Sequence, residues 1–216
     1  DLAVDDSSNF YVLGEFTFFS GFDLFNFQPD IRPNGSSDVF LAKYNEDGKL
    51  VWLRTFGGSG LDHGYNISLG FNGEVFIAGQ FSGTVDFNPD STNAFVLNSQ
   101  GGKDVFISEF DTNGNWYWTR SFGNANDDIV NTITTDRQGI VYVGGEFQGT
   151  IDFNPGVTTG SLSNPNSNPL GYISSYDGNG NFRWVRPYGI NLDNRHYIRT
   201  LKVSPNNELY GNLVLN

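Results

Sequence analysis

The tryptophans at 52, 118 and 184 recur at a fixed interval, 118 − 52 = 66 and 184 − 118 = 66 residues. Around them the chain reads DVFLAKYNEDGKLVWLRTFG (38–57), DVFISEFDTNGNWYWTRSFG (104–123) and GYISSYDGNGNFRWVRPYG (171–189). A period of this length, made of short apolar runs punctuated by Gly, Asn and Asp, is that of a repeat architecture. Such units cannot bury their apolar faces alone and do so against their neighbours.

The period extends beyond the tryptophan block. EVFIAGQFSGTVDFNPD (74–90) is matched by IVYVGGEFQGTIDFNPG (140–156), and NFYVLGEF (9–16) is an earlier, incomplete copy. Each unit reads as four strands, which in the second unit fall near 67–71, 75–81, 104–110 and 116–122. Asn72-Gly73 and Asp111-Thr112-Asn113-Gly114 supply the tight turns, because Gly and Asn tolerate positive φ. The stretch 82–103 alternates on its own account and is expected to add a small hairpin. Inner strands such as Val75-Phe76-Ile77-Ala78 are apolar on both faces, as in a sheet covered on both sides. The 20 Phe and 10 Tyr supply strand-favouring material for such cores.

The expected fold is therefore all-β: a β-propeller, or part of one, built of four-stranded antiparallel blades. A β-sandwich explains the strands but not the self-similarity. Units are expected at about 2–57, 67–123 and 133–189, with a partial unit at 201–216. Propellers close with roughly 4–8 blades, so this number of units points either to a longer parent protein, the preferred reading, or to another chain that completes the ring. The parent's other blades or domains are then the first partners. The absence of any Met and the opening DLAVDDSSNF support the same expectation of a fragment or mature segment.

Charge narrows the partners. With 12 Lys+Arg against 24 Asp+Glu the net charge is −12, which repels phosphate backbones and argues against nucleic acid. There are no Cys, which removes disulfides, thiolate metal sites and Cys nucleophiles. No apolar run approaches the roughly 18 residues that span a bilayer.

The strings GEVFIAGQFSGTVDFNP, DVFLAKYNEDGKLVWLRTFGGSG and DVFISEFDTNGNWYWTRSFG resemble the bacterial β-propeller repeats of the SBBP family. That family's units carry a G-x-V-Y-V-x-G strand, a D-x-F-V-A-K-[LY] strand, a D-x-x-G turn and a W-x-[KR]-x-F-G strand. The last unit departs from the pattern: Leu170 stands where Asp38 and Asp104 would be, and INLDNRHY (190–197) replaces the Gly-x-x-Asp loop. The resemblance implies an extracytoplasmic bacterial protein, secreted or on the cell surface. The DFNP hairpin is similar to versions in Bacteroidota surface proteins, some exported by the type IX route. No single activity attaches to the family.

A residue that recurs in every unit serves the unit before it serves a reaction. The three tryptophans therefore read as core anchors. Arg54, Arg120 and Arg186, each two residues on, are expected to pair with carboxylates or carbonyls between units. Asp111-Thr112-Asn113-Gly114 and its copies resemble the start of a calcium loop but lack the later ligands, leaving turn chemistry as the preferred reading. In the DFNP loops Asp86, Asn88 and Asp90, and then Asp152 and Asn154, alternate in a way that suits either a calcium ion or an Asx-turn.

Catalytic signatures are absent, and His63 and His196 do not hold equivalent repeat positions. A carboxylate pair for glycoside hydrolysis is an alternative that only spatial separation reveals. The preferred reading is a noncatalytic scaffold or adhesion module. Its ligand, a glycan or cell-surface protein, would meet the least repeated side chains: His63, Tyr65, Trp116, Arg195, His196 and Tyr197.

Overall fold

A computed structural model describes residues 1–18, 21–22, 31–88, 92–156, 160–189 and 195–215. None of these is helical. The first module is a four-stranded antiparallel sheet of β1 (Leu2–Val4), β2 (Phe10–Phe16), β3 (Asp38–Tyr44) and β4 (Leu50–Phe56), in that order. The second contains β5 (His63–Leu69) and β6 (Val75–Phe81), then a separate hairpin of β7 (Thr84–Asp86) and β8 (Val96–Asn98). It continues with β9 (Asp104–Phe110) and β10 (Trp116–Phe122), giving the sheet order β5-β6-β9-β10.

The third module repeats this plan. It comprises β11 (Ile129–Thr135), β12 (Val141–Phe147), the hairpin β13 (Gly149–Asp152) and β14 (Ser161–Asn164), β15 (Leu170–Tyr176) and β16 (Phe182–Tyr188). A two-stranded sheet follows, of β17 (His196–Val203) and β18 (Leu209–Leu215). Three strands of the second module lie at the expected positions, and the expected extra hairpin is β7–β8.

The first strand of that module differs from expectation: it starts at His63 rather than near 67 and ends at Leu69. A bulge between Gly64 and Asn66 lets pairing run on to Gly79 and Gln80 after the apolar alternation has broken. The same bulge recurs between Val130 and Thr132 and between Ile198 and Thr200. Pattern reading stops where alternation stops, whereas hydrogen bonding does not.

β6 and β9 are buried throughout and β12 and β15 nearly so, whereas β2 is buried only in part. Val75, Ile77 and Phe81 join Leu13, Val39 and Leu41 in the core between the first and second modules. Phe76 and Ala78 face the opposite way, into the core shared with Val130, Val143 and Tyr172 of the third. Ile198 and Leu201 of β17 close a smaller core over Ile173, with Trp184 packed against it.

Three side chains of the fourth strand lock the first module onto the second, and the second onto the third. Trp52 Nε1 donates to Thr112 O at 2.9 Å and Arg54 Nε to Gly114 O at 2.8 Å. One repeat later Trp118 Nε1 donates to Gly178 O at 3.0 Å and Arg120 Nε to Gly180 O at 2.9 Å. The arginines thus bind carbonyls of the following module's turn, one of the two partners expected. Each guanidinium also sits over its own tryptophan, at 5.6 and 5.8 Å. The third contact is aromatic. Phe56 enters a cage of Phe87, Phe106 and Phe110, and Phe122 one of Phe153, Tyr172 and Tyr176.

The cage residue Phe87 stands edge-on to Phe81 at 5.1 Å, and Phe153 to Phe147 at 6.0 Å. In the first module that partner is Phe22, edge-on to Phe16 at 5.6 Å. By its sequence the first module's counterpart of the DFNP string is Phe-Gln-Pro-Asp (27–30), which lies outside the described residues.

Candidate functional site

The least repeated side chains lie mostly where β5 and β17, each the first strand of its sheet, begin. His63 Nδ1 meets the Glu15 carboxylate across the first joint, and the His63 and Tyr65 rings stack 5.7 Å apart at 20°. At the third joint Arg195 forks onto Glu146, with Nε 2.6 Å from Oε2 and a second bond to Oε1. The Arg195 guanidinium lies 5.2 Å over the Tyr197 ring. Between these pairs Gln80 donates to the Asp128 carbonyl.

Register explains the row. His63 lies opposite Gln80 and Ile129 opposite Glu146, so Glu15, Gln80 and Glu146 occupy one repeat position, each before a strand-ending Phe. Sequence reasoning named His63 and Arg195 but missed Glu15 and Glu146. The signal was the string G-[EQ]-F, read only as strand. Burial, then Glu15 and Asp127, raise the Tyr65 phenol pKa. The hydrogen bond from Arg195 to Glu146 holds that guanidinium more firmly charged.

His196 is buried, and its amide donates to Pro169 O. The amides of Asp62 and Asp128 do the same to Ser37 O and Lys103 O, so His196 replaces an aspartate of the repeat, whereas His63 does not. Trp116 is not brought to this row. It is half-buried beside the β7–β8 hairpin, 5.0 Å from Phe95, with Nε1 donating to Thr119 Oγ1.

Near the row lie four buried acids, of which the repeat pattern marks Asp38 and Asp104 but gives no sign of their burial. Asp38 and Asp62 flank the Gly57–Gly58 segment: the Asp38 carboxylate abuts Gly57, and Gly58 N donates to Asp62 at 2.7 Å. Asp104 and Asp128 repeat this around Gly123 and Asn124. Burial pushes Asp62 and Asp104 up to about 6 and Asp128 to about 7. It also raises Asp38. Burial is the dominant cause in each case.

In the DFNP loops, Asp86 Oδ1 accepts the amides of Asn88 and Phe95 at 3.0 and 2.8 Å, and Asp152 Oδ1 accepts Asn154 N at 2.9 Å. This is Asx-turn geometry; Asp90 lies outside the described residues. Among the described residues no three His, Asp or Glu side chains gather as a metal site. The Asp111 turn is likewise an Asx-turn, its Oδ1 taking the Asn113 and Asn115 amides at 2.8 Å.

The described surface also carries clefts. One, of about 500 Å³, is lined by Tyr11, Phe71, Asp136, Arg137 and Pro205 where the turns after the first strands of the modules meet. Another, of about 600 Å³, holds Glu74, Glu109, Tyr117 and Trp118. Burial lifts Glu109 to about 7, and Trp118 Nε1 donates to it.

No family model matches the chain. Over 148 residues, 68% of its length, it is 27% identical to Regulatory protein FlaEY of Caulobacter vibrioides, of which it covers 15%. Over 170 residues, 74% of its length, it is 24% identical to an uncharacterized WD repeat-containing protein of Acanthamoeba polyphaga mimivirus, of which it covers 12%. The chain therefore spans a small part of the length of either relative. The WD-repeat likeness and the recurring four-stranded sheets agree on an all-β scaffold built from repeats.

Proposed function

We propose that the modules are blades of a β-propeller and that the protein is a noncatalytic propeller segment of a bacterial secreted or cell-surface protein. The observation that carries the scaffold reading is the joint made twice with the same atoms. The recurrent Trp and Arg of the first two fourth strands are engaged in holding modules together, which leaves recognition to the non-repeated row. That row offers a stacked His63–Tyr65 pair and an Arg195–Tyr197 pair, a chemistry suited to a glycan: aromatic faces beside charged hydrogen-bonding groups. The export route and surface location rest on the resemblance of the repeat strings.

The test is a glycan array probed with the wild-type chain and with Tyr65→Ala and Arg195→Ala. Binding that is lost in both variants supports the reading. Binding that survives both, or no binding at all, removes the recognition role and leaves the scaffold. The cleft of Glu74 and Glu109 favours the enzymatic alternative, since it pairs a carboxyl of raised pKa with a second carboxylate beside aromatic rings. Release of a chromophore from aryl glycosides, abolished in Glu109→Gln, is the result that reading requires.

A further inference from the structure

We infer that the outer face of the first module is a docking face for the fourth strand of a further module of this same repeat, carried by the same polypeptide. The two joints inside the chain show what such a face receives: tryptophan and arginine on a turn, and an aromatic ring in a cage. The first module carries both receiving parts. Its turn, Asn45 to Lys49, closes through Gly48, whose φ of 75° matches the 77° and 74° of Gly114 and Gly180. Those two glycines are buried beneath the indoles of Trp52 and Trp118, whereas Gly48 is exposed and nothing lies within 4 Å of where its Cβ would be.

The cage is equally complete. Phe22, Phe40 and Tyr44 correspond to Phe87, Phe106 and Phe110, with Phe22 and Phe40 rings 4.8 Å apart. All three residues of each filled cage are at most 1% exposed, but Phe22, Phe40 and Tyr44 are only half-buried.

The complementary part appears on the third module. Trp184, Arg186 and Tyr188 continue the series Trp52, Arg54, Phe56 and Trp118, Arg120, Phe122. Arg186 already bonds to Val185 O at 3.0 Å, as Arg54 and Arg120 bond to their own preceding carbonyls. Yet Arg186 is exposed and Tyr188 is 37% exposed, against 4% and 1% for Phe56 and Phe122.

A second copy of this chain is a poorer occupant. In each copy β17–β18 already packs over the inner half of the third module, where an incoming module's first two strands would have to lie. The joint therefore needs a module that follows or precedes in sequence, and the inference holds for a closed ring or an open array alike.

Hydroxyl-radical footprinting read by mass spectrometry tests it. In the 216-residue protein Phe40 should oxidise several-fold faster than Phe106. A second protein carries a copy of residues 63–131 ahead of Asp1, which keeps register because Leu2 pairs as Ile67 does. There Phe40 and Tyr44 should fall to the level of Phe106 and Phe110 in a monomer. Trp118→Ala with Arg120→Ala in the added copy alone should restore oxidation. The inference is overturned by equal protection of Phe40 and Phe106 in the 216-residue monomer, or by protection that depends on protein concentration. It is also overturned if the extended protein leaves Phe40 reactive.

Discussion

Alanine placed in turn at Gly48, Gly114 and Gly180 separates the cost of a backbone shape from the cost of a joint. All three glycines hold left-handed φ, at 75°, 77° and 74°. Any Cβ there costs about 1–2 kcal/mol. At Gly48 that is the whole effect, since nothing lies within 4 Å of the new carbon. At Gly114 the Cβ would sit 2.9 Å from Trp52 Cδ2, and at Gly180 2.7 Å from Trp118 Cδ2. The indole must retreat, which adds roughly 1–3 kcal/mol of overpacking. Its Nε1 bond is strained as well, for about 1 kcal/mol more.

The expected order of destabilisation is Gly180→Ala, then Gly114→Ala, then Gly48→Ala. The first should lose about 3–6 kcal/mol and the last no more than about 2. Trp118 is buried and Trp52 only half-buried, so the larger loss falls at Gly180. Urea unfolding followed by tryptophan fluorescence gives the midpoints at unchanged slope. Equal losses at all three positions would refute the claim that the turns are sockets.

Three other outcomes follow from the same geometry. Phe122→Ala empties a filled cage and should cost about 3–5 kcal/mol, against less than about 1.5 for the partly exposed Tyr188→Ala, by thermal or urea melts. Arg195→Ala strands the buried Glu146 carboxylate and should cost about 1.5–3 kcal/mol, with faster amide exchange across 196–203. The third concerns pH. Asp62 and Asp104 near 6 and Asp128 near 7 hold protons in the fold that the unfolded chain releases near 4. Between those values the folded state binds more protons, so stability falls as pH rises through about 4–7. The penalty is complete above pH 7 and amounts to at most about 4 kcal/mol for Asp128. Asp128→Asn should flatten the melting profile between pH 5 and 8; a profile that rises with pH would contradict this.

Much of the fold was legible because it is written in local periodicity. The boundaries of β6, β9 and β10, the extra hairpin and the stacked cores all follow from alternation and from Gly, Asn and Asp turns. The link from Arg54 and Arg120 to carbonyls was legible too, because a residue repeated in every unit must meet something repeated in every unit. What stayed hidden depends on contacts across modules. Asp62 and Asp128 look like ordinary loop acids until the neighbouring Gly-containing loop closes over them. Glu15 and Glu146 gain partners only when the first strand of the next unit arrives. Phe22 carries no sequence signal beyond a six-residue spacing from Phe16, shared with Phe81–Phe87, and its ring contacts show only in the fold.

The joint has a sense of direction: each module offers its fourth strand forward and its turn backward. An interface of that kind is satisfied by any neighbour of the same make. Tandem duplication of one 66-residue stretch, the interval between Trp52 and Trp118, therefore delivers both halves of a new contact at once. Such an array can grow or shrink by whole units with no compensating mutation elsewhere, and selection is then left free to act on the few residues that differ from one unit to the next.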